Sequence, residues 1–160
     1  MQSVIGAVVA VAVALAPATF APAPGWHVGA GRPHPCPGGS SAECSSVASW
    51  AATVRWRDCG ICLPHRTIAR LSADGIALQL QVGFERQPPK WMRPLRWPPR
   101  IRGVASPFEG LPPRIGVFQV SGFVHGWSTS LFVFFGRPKP TSAQSARARA
   151  ELATVTFPHR

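Results

Sequence analysis

Residues 75–85 read GIALQLQVGFE, and their alternation decides the fold class. Ile76, Leu78, Leu80, Val82 and Phe84 fall on one side of an extended chain. Ala77, Gln79, Gln81 and Glu85 fall on the other. A period of two belongs to a β-strand, whereas a helix would spread the same residues around its circumference. One apolar and one polar side predicts a strand with core beneath it and solvent above, the usual pattern of an antiparallel sheet. Asp74-Gly75 directly before it is a turn signal.

Working outward, residues 47–56, VASWAATVRW, set Ala48, Trp50, Ala52, Val54 and Trp56 against Ser49, Thr53 and Arg55. That alternation predicts a second half-buried strand, with a short helix as the alternative that the alanines leave open. PHRTIARLSADG (64–75) predicts a brief helical turn directing Ile68 and Leu71 inward. RIGVFQVSGFVHGW (114–127) and TSLFVFFG (129–136), separated by turn-prone Gly126 and Ser128, predict a hairpin. Its second strand is apolar on both sides and belongs at the centre of a sheet or under a second layer. PTSAQSARARAELATV (140–155) predicts a helix with Thr141 or Ser142 as N-cap, closed at Leu152. ATVTF (153–157) is expected to return to the sheet. The expectation is a mainly β protein, an antiparallel sandwich or a curved sheet, with one C-terminal helix and a disulfide-pinned N-terminal arm.

Composition agrees with short strands and many turns. The 160 residues include 18 Pro and 15 Gly, no Tyr, and only 14% charged residues. This is room for one domain with a real core. Fifteen Arg and two Lys against six acids give a net charge of +11. Part of the Arg bias fits a GC-rich genome. The excess over acids still sets up a positive field that attracts polyanions.

The N-terminal segment MQSVIGAVVAVAVALAPATFA is free of charge, with an apolar run from Val4 to Ala16 of signal-peptide length. Residues 1–21 are therefore expected to be a signal peptide, or else an uncleaved anchor, since no Lys or Arg precedes the run. Ala16-Pro17-Ala18 and Thr19-Phe20-Ala21 offer cleavage sites. Residues 22–46 form a Gly/Pro/Ser-rich arm expected to be irregular, and 47–160 a single β-rich domain. The expected location is outside the cell or at its envelope.

Export gives the four cysteines a meaning. An even count in a small exported chain reads as a disulfide framework. Of three connectivities the local one, Cys36–Cys44 with Cys59–Cys62, is favoured, because CPGGSSAEC (36–44) has no core of its own and gains order from closure. A redox reading of RDCGIC is disfavoured by Asp58, whose charge opposes a thiolate, and by Pro64, which spoils a helix start after Cys62. Zinc on Cys59, Cys62 and His65 is the remaining alternative, and it needs a second half-site.

RDCxxCLPHRT, then DGIALQL, then a Trp/Pro/Arg segment, then FGRPKPT and ARAEL before a final strand make up an order of motifs. In that order most of the chain after residue 25 resembles secreted proteins of actinobacteria with no assigned activity. The resemblance implies export and a β-rich fold, and it carries no activity with it.

Residues 86–103 are the most distinctive surface candidate. They hold Lys90, Trp91, Arg93, Arg96, Trp97 and Arg100, flanked by Arg86 and Arg102, with five prolines and no acid. Such a backbone is extended or polyproline-like. Arg beside Trp suits an anionic surface, a cell-wall polymer or lipid headgroups. Stacking on nucleic acid uses the same residue types, but export argues against specific nucleic-acid binding. The bland reading is a long connection whose tryptophans cover the sheet edge while its arginines stay solvated.

Catalytic signatures are missing: no HExxH, GxSxG, phosphate-binding or dinucleotide motif occurs. Asp58 with His65 is the one cluster worth inspecting for chemistry. A salt link from Asp58 to Arg57 or Arg66, beside an exposed His65, explains it as well. His125 reads as a turn residue. The sequence therefore points to a non-enzymatic binding or structural module without a cofactor, using the basic tryptophan segment. A thiol-redox or zinc protein centred on the CxxC is the alternative. Oligomeric state is open at this level.

Overall fold

A computed structural model of the chain describes residues 16–35, 44–85, 90–102, 104 and 110–159. Six strands and two helices occur in the order β1 (His27–Ala30), β2 (His34–Pro35), β3 (Cys44–Ala52), α1 (His65–Ile68), β4 (Ile76–Glu85), β5 (Gly116–Val124), β6 (Trp127–Phe135) and α2 (Ser142–Leu152). All strands belong to one antiparallel sheet, ordered β1-β3-β4-β6-β5, with β2 also on the outer edge of β3. Of the two expected architectures the protein takes the single sheet.

IALQLQVGFE forms a central strand of this sheet. In β4, Leu78 stands opposite Ala51 on one neighbour and Val133 on the other, and Leu80 opposite Ser49 and Leu131. Ile76, Leu78, Leu80 and Val82 are fully buried together with Phe118, Leu131, Val133 and Phe135. This side is covered by α2, through Ala148 and Leu152, and is called the helix face below. α2 starts where expected. Thr141 Oγ1 accepts from Gln144 N at 3.1 Å while Gln144 Oε1 accepts from Thr141 N at 3.0 Å, a reciprocal capping box.

Two features of the opening stretch differ from expectation. Phe84 is 42% exposed, at the far end of the strand from the buried Ile76. Ala77 and Gln79, expected in solvent, are buried. A second layer closes half of the opposite side, the loop face. There Ile68, Leu71, Leu111 and Ile115 pack on Ala52, Ala77, Val117 and Phe134. Gln79 tolerates this burial because its Nε2 donates to Gly60 O at 2.5 Å and to Cys62 O at 2.9 Å.

The hairpin between β5 and β6 turns on His125-Gly126, with φ of 50° and 82°. Two left-handed residues match a two-residue turn whose twist suits the strands it joins. β6 lies between β4 and β5 and is covered on both sides along its second half, as its apolar pattern requires.

The arm expected to be irregular contributes two strands. β1 pairs with residues 49–52 and β2 with 45–46 of β3, which itself begins at Cys44. Further back, Ala18 and Phe20 are buried in the main core. Thr19 and Thr156 exchange two backbone hydrogen bonds of 2.9 Å, and Ala21 N donates to Thr154 Oγ1. The expected last strand, ATVTF, thus makes one bridge to Thr19, within the segment expected to be a leader, and does not rejoin the sheet. Cleavage after Ala18 or Ala21 would remove residues that belong to this fold.

Candidate functional site

The basic segment wraps around the free edge of β5. On the loop face, Met92 is buried with its sulfur 3.5 Å from Ser128 Oγ. At the edge, Phe123 N donates to Arg93 O at 2.8 Å and Leu95 N to Phe123 O at 2.7 Å, a parallel bridge centred on Pro94. Proline has no N–H to offer a ladder, so it fits an edge and ends the pairing there. On the helix face, Trp97 Nε1 donates to Leu152 O at 3.0 Å, the carbonyl at the end of α2. The Trp97-Pro98 peptide is cis.

This anchoring divides the candidate residues. Trp97 is a structural residue: it packs against the main core and meets Phe157 edge-on at 5.1 Å. Trp91 is 66% exposed, and Lys90, Arg93, Arg96, Arg100 and Arg102 of the same segment are exposed as well. Arg93 Nη1 donates to Lys90 O at 2.5 Å, fixing that side chain over its own turn. Arg86, also expected here, lies outside the described residues.

The described acids are engaged elsewhere. Among the described residues the one salt bridge is Arg137–Asp74, at 2.6 Å. Glu85 Oε1 accepts from Ser128 Oγ at 3.1 Å. Glu151 is buried on the core side of α2; desolvation pushes its carboxyl up from the usual range, against the pull of Arg147. None of the described basic residues from 90 to 102 is held in an ion pair.

The CxxC is a bonded pair. Cys59 and Cys62 form a disulfide with Cα atoms 5.2 Å apart, and Cys62 N donates to Cys59 Sγ. Neither sulfur is then a thiolate, which is what the zinc alternative requires. The loop lies on the sheet, where Gly60 touches the Trp50 ring and the Gln79 amide. Trp50 stacks on Trp56 at 5.3 Å. Cys44 is disulfide-bonded as well; its expected partner Cys36 lies outside the described residues.

Asp58 has a different job from either role weighed for it. Its Oδ1 accepts from Arg66 N at 3.2 Å, and its Oδ2 from Thr67 N at 2.8 Å and Thr67 Oγ1 at 2.6 Å. It satisfies the free amides at the start of α1, with no side-chain link to Arg57 or Arg66. His65 is exposed beside it. Among the described residues no three His, Cys, Asp or Glu side chains come together as metal ligands, and no helix is long and apolar enough to cross a membrane.

One concavity escaped the sequence reading. A cavity of about 330 Å³ is lined by His125, Trp127, Val155, Phe157, Pro158 and His159. It forms where the C-terminal tail crosses the β5–β6 turn, a meeting of residues about 30 positions apart that no local pattern announces.

Comparison with family models, curated proteins and solved structures gives no match for this chain.

Proposed function

We propose that the protein is a non-enzymatic module of the cell exterior or envelope that contacts anionic surfaces through Lys90, Trp91, Arg93, Arg96 and Arg100. The observation that carries this reading is an exposed Trp91 among exposed, unpaired cations, on a segment whose backbone is pinned at Arg93, Leu95 and Trp97. A pinned segment loses little conformational freedom on binding, so more of its contact energy appears as affinity. Cations free of internal carboxylates need not break an ion pair before meeting an external anion.

Binding to phosphatidylglycerol vesicles and to soluble polygalacturonate, measured against ionic strength, tests this. Replacing Arg93, Arg96 and Arg100 together by Gln removes about 1 kcal/mol per cation near an anionic surface, a loss of about a hundredfold in affinity. Binding of the unaltered protein should weaken as salt screens the contact. The Cys59→Ser/Cys62→Ser variant should keep the affinity. Full binding by the Arg variant, with loss in the Cys variant, would return attention to the CxxC.

A further inference from the structure

The cavity at the C-terminal tail has the construction of a binding site. Its walls are fixed from both sides: Trp127 Nε1 donates to Pro158 O at 3.0 Å, and the tail is held at Thr156 by its backbone pair with Thr19. His125 stands in the left-handed backbone of the hairpin turn, φ 50°, which sets its ring edge-to-face against Phe157 at 5.5 Å. Non-glycine residues are uncommon in that conformation. The turn thereby presents an imidazole where a glycine would present nothing.

The lining combines apolar walls (Trp127, Phe157, Val155 and Pro158) with two imidazoles, and it includes no carboxylate. Its volume lies at the small end of ligand sites, suited to a ring rather than to an extended chain. The half-buried Phe157 ring offers a surface to the C–H face of a pyranose, the buried Trp127 backs it, and the imidazoles offer hydrogen bonds to the sugar hydroxyls. Phe157 is also the residue that meets Trp97 at 5.1 Å, so the cavity and the basic segment share a wall. A ring seated in the cavity would have neighbouring rings leave on the Trp97 side, toward the basic segment.

We infer that this cavity is a subsite for one sugar ring of an acidic polysaccharide whose carboxylates lie along the basic segment. The inference rests on the anionic-surface reading and names the polymer that surface takes. A phosphatidylglycerol headgroup fits less well, because it has no C–H ring face to set against Phe157.

The test is a titration of the full chain with trigalacturonate, followed by the imidazole Cε1–H NMR signals, with maltotriose and phosphatidylglycerol vesicles as comparators. Trigalacturonate should shift the His125 and His159 signals with a single saturating affinity, and maltotriose should bind more weakly. His125→Gly, which keeps the left-handed turn, and Phe157→Leu should each lower trigalacturonate affinity about tenfold. Retained chemical shifts elsewhere in the sheet would show that each variant is folded. Trigalacturonate binding that depends on the arginines but leaves both histidine signals unmoved would overturn the subsite while sparing the surface. Vesicles that bind while trigalacturonate does not would overturn the polysaccharide assignment. Loss of every anionic ligand would sink both readings.

Discussion

Glu151 lies on the core side of α2 with its Oε1 buried and without a hydrogen-bond partner. Its charged form is the disfavoured one, so the folded chain holds this proton to higher pH than the unfolded chain does. The sign follows by linkage: its contribution to stability is greatest below the ordinary carboxylate range and is lost as pH rises through the raised value. Glu151→Gln should therefore raise Tm at neutral pH and flatten the fall in stability between acid and neutral pH. Thermal unfolding at a series of pH values checks this, and a wild-type Tm that climbs with pH relative to the variant would contradict it. At this scale the sequence was a partial guide. The two tryptophans of the basic segment look alike in a string of letters. Only the α2 carbonyl and the Phe157 ring make Trp97 internal, and both come from more than 50 residues away. Asp58 was misread for a related reason, since its partners are backbone amides, which residue identity does not advertise.

Among the elements, local periodicity carried furthest. β4, the hairpin of β5 and β6, and the capped helix α2 were legible because alternation, turn residues and capping residues are short-range signals. The N-terminal arm was not, because β1 and β2 are short strands whose partner, β3, lies further along the chain. The same holds for residues 18–21, whose apolar side chains read as the end of a leader although Ala18 and Phe20 are core. A leader cut that spares the fold falls before Ala18. A chain lacking residues 1–21 should accordingly be much less stable than one lacking 1–16. Loss of Phe20 alone costs about 3 kcal/mol by comparison with other buried phenylalanines. Chemical unfolding of the two truncated chains measures the difference, and equal midpoints would refute the structural role of residues 17–21. The Cys59–Cys62 staple acts on a smaller scale. It closes only a few residues, so its removal should cost about 2 kcal/mol, less than a disulfide spanning a long loop.

For the molecule as a whole, the sheet has a helix face closed by α2 and by residues 18–28 and 155–157, and a loop face closed over half its length. The basic segment ties the two together around the β5 edge. Net charge of +11 is not spread evenly in effect, because the described acids are consumed by a cap, a turn, a serine and the core. What remains unpaired from 90 to 102 faces outward. The sequence announced the composition of this surface but not which of its side chains are free, since that depends on packing against β5, α2 and the tail.

On the proposed reading it is this outward set, and not the CxxC loop, that meets the partner. The most direct measurement is a two-dimensional NMR map of backbone, indole and arginine side-chain signals during titration with polygalacturonate at low salt. The predicted result is shifts in the Trp91 indole and in the Nε–H of Arg93, Arg96 and Arg100, with residues 58–66 unmoved. Shifts confined to residues 58–66, or none at any site, would contradict it.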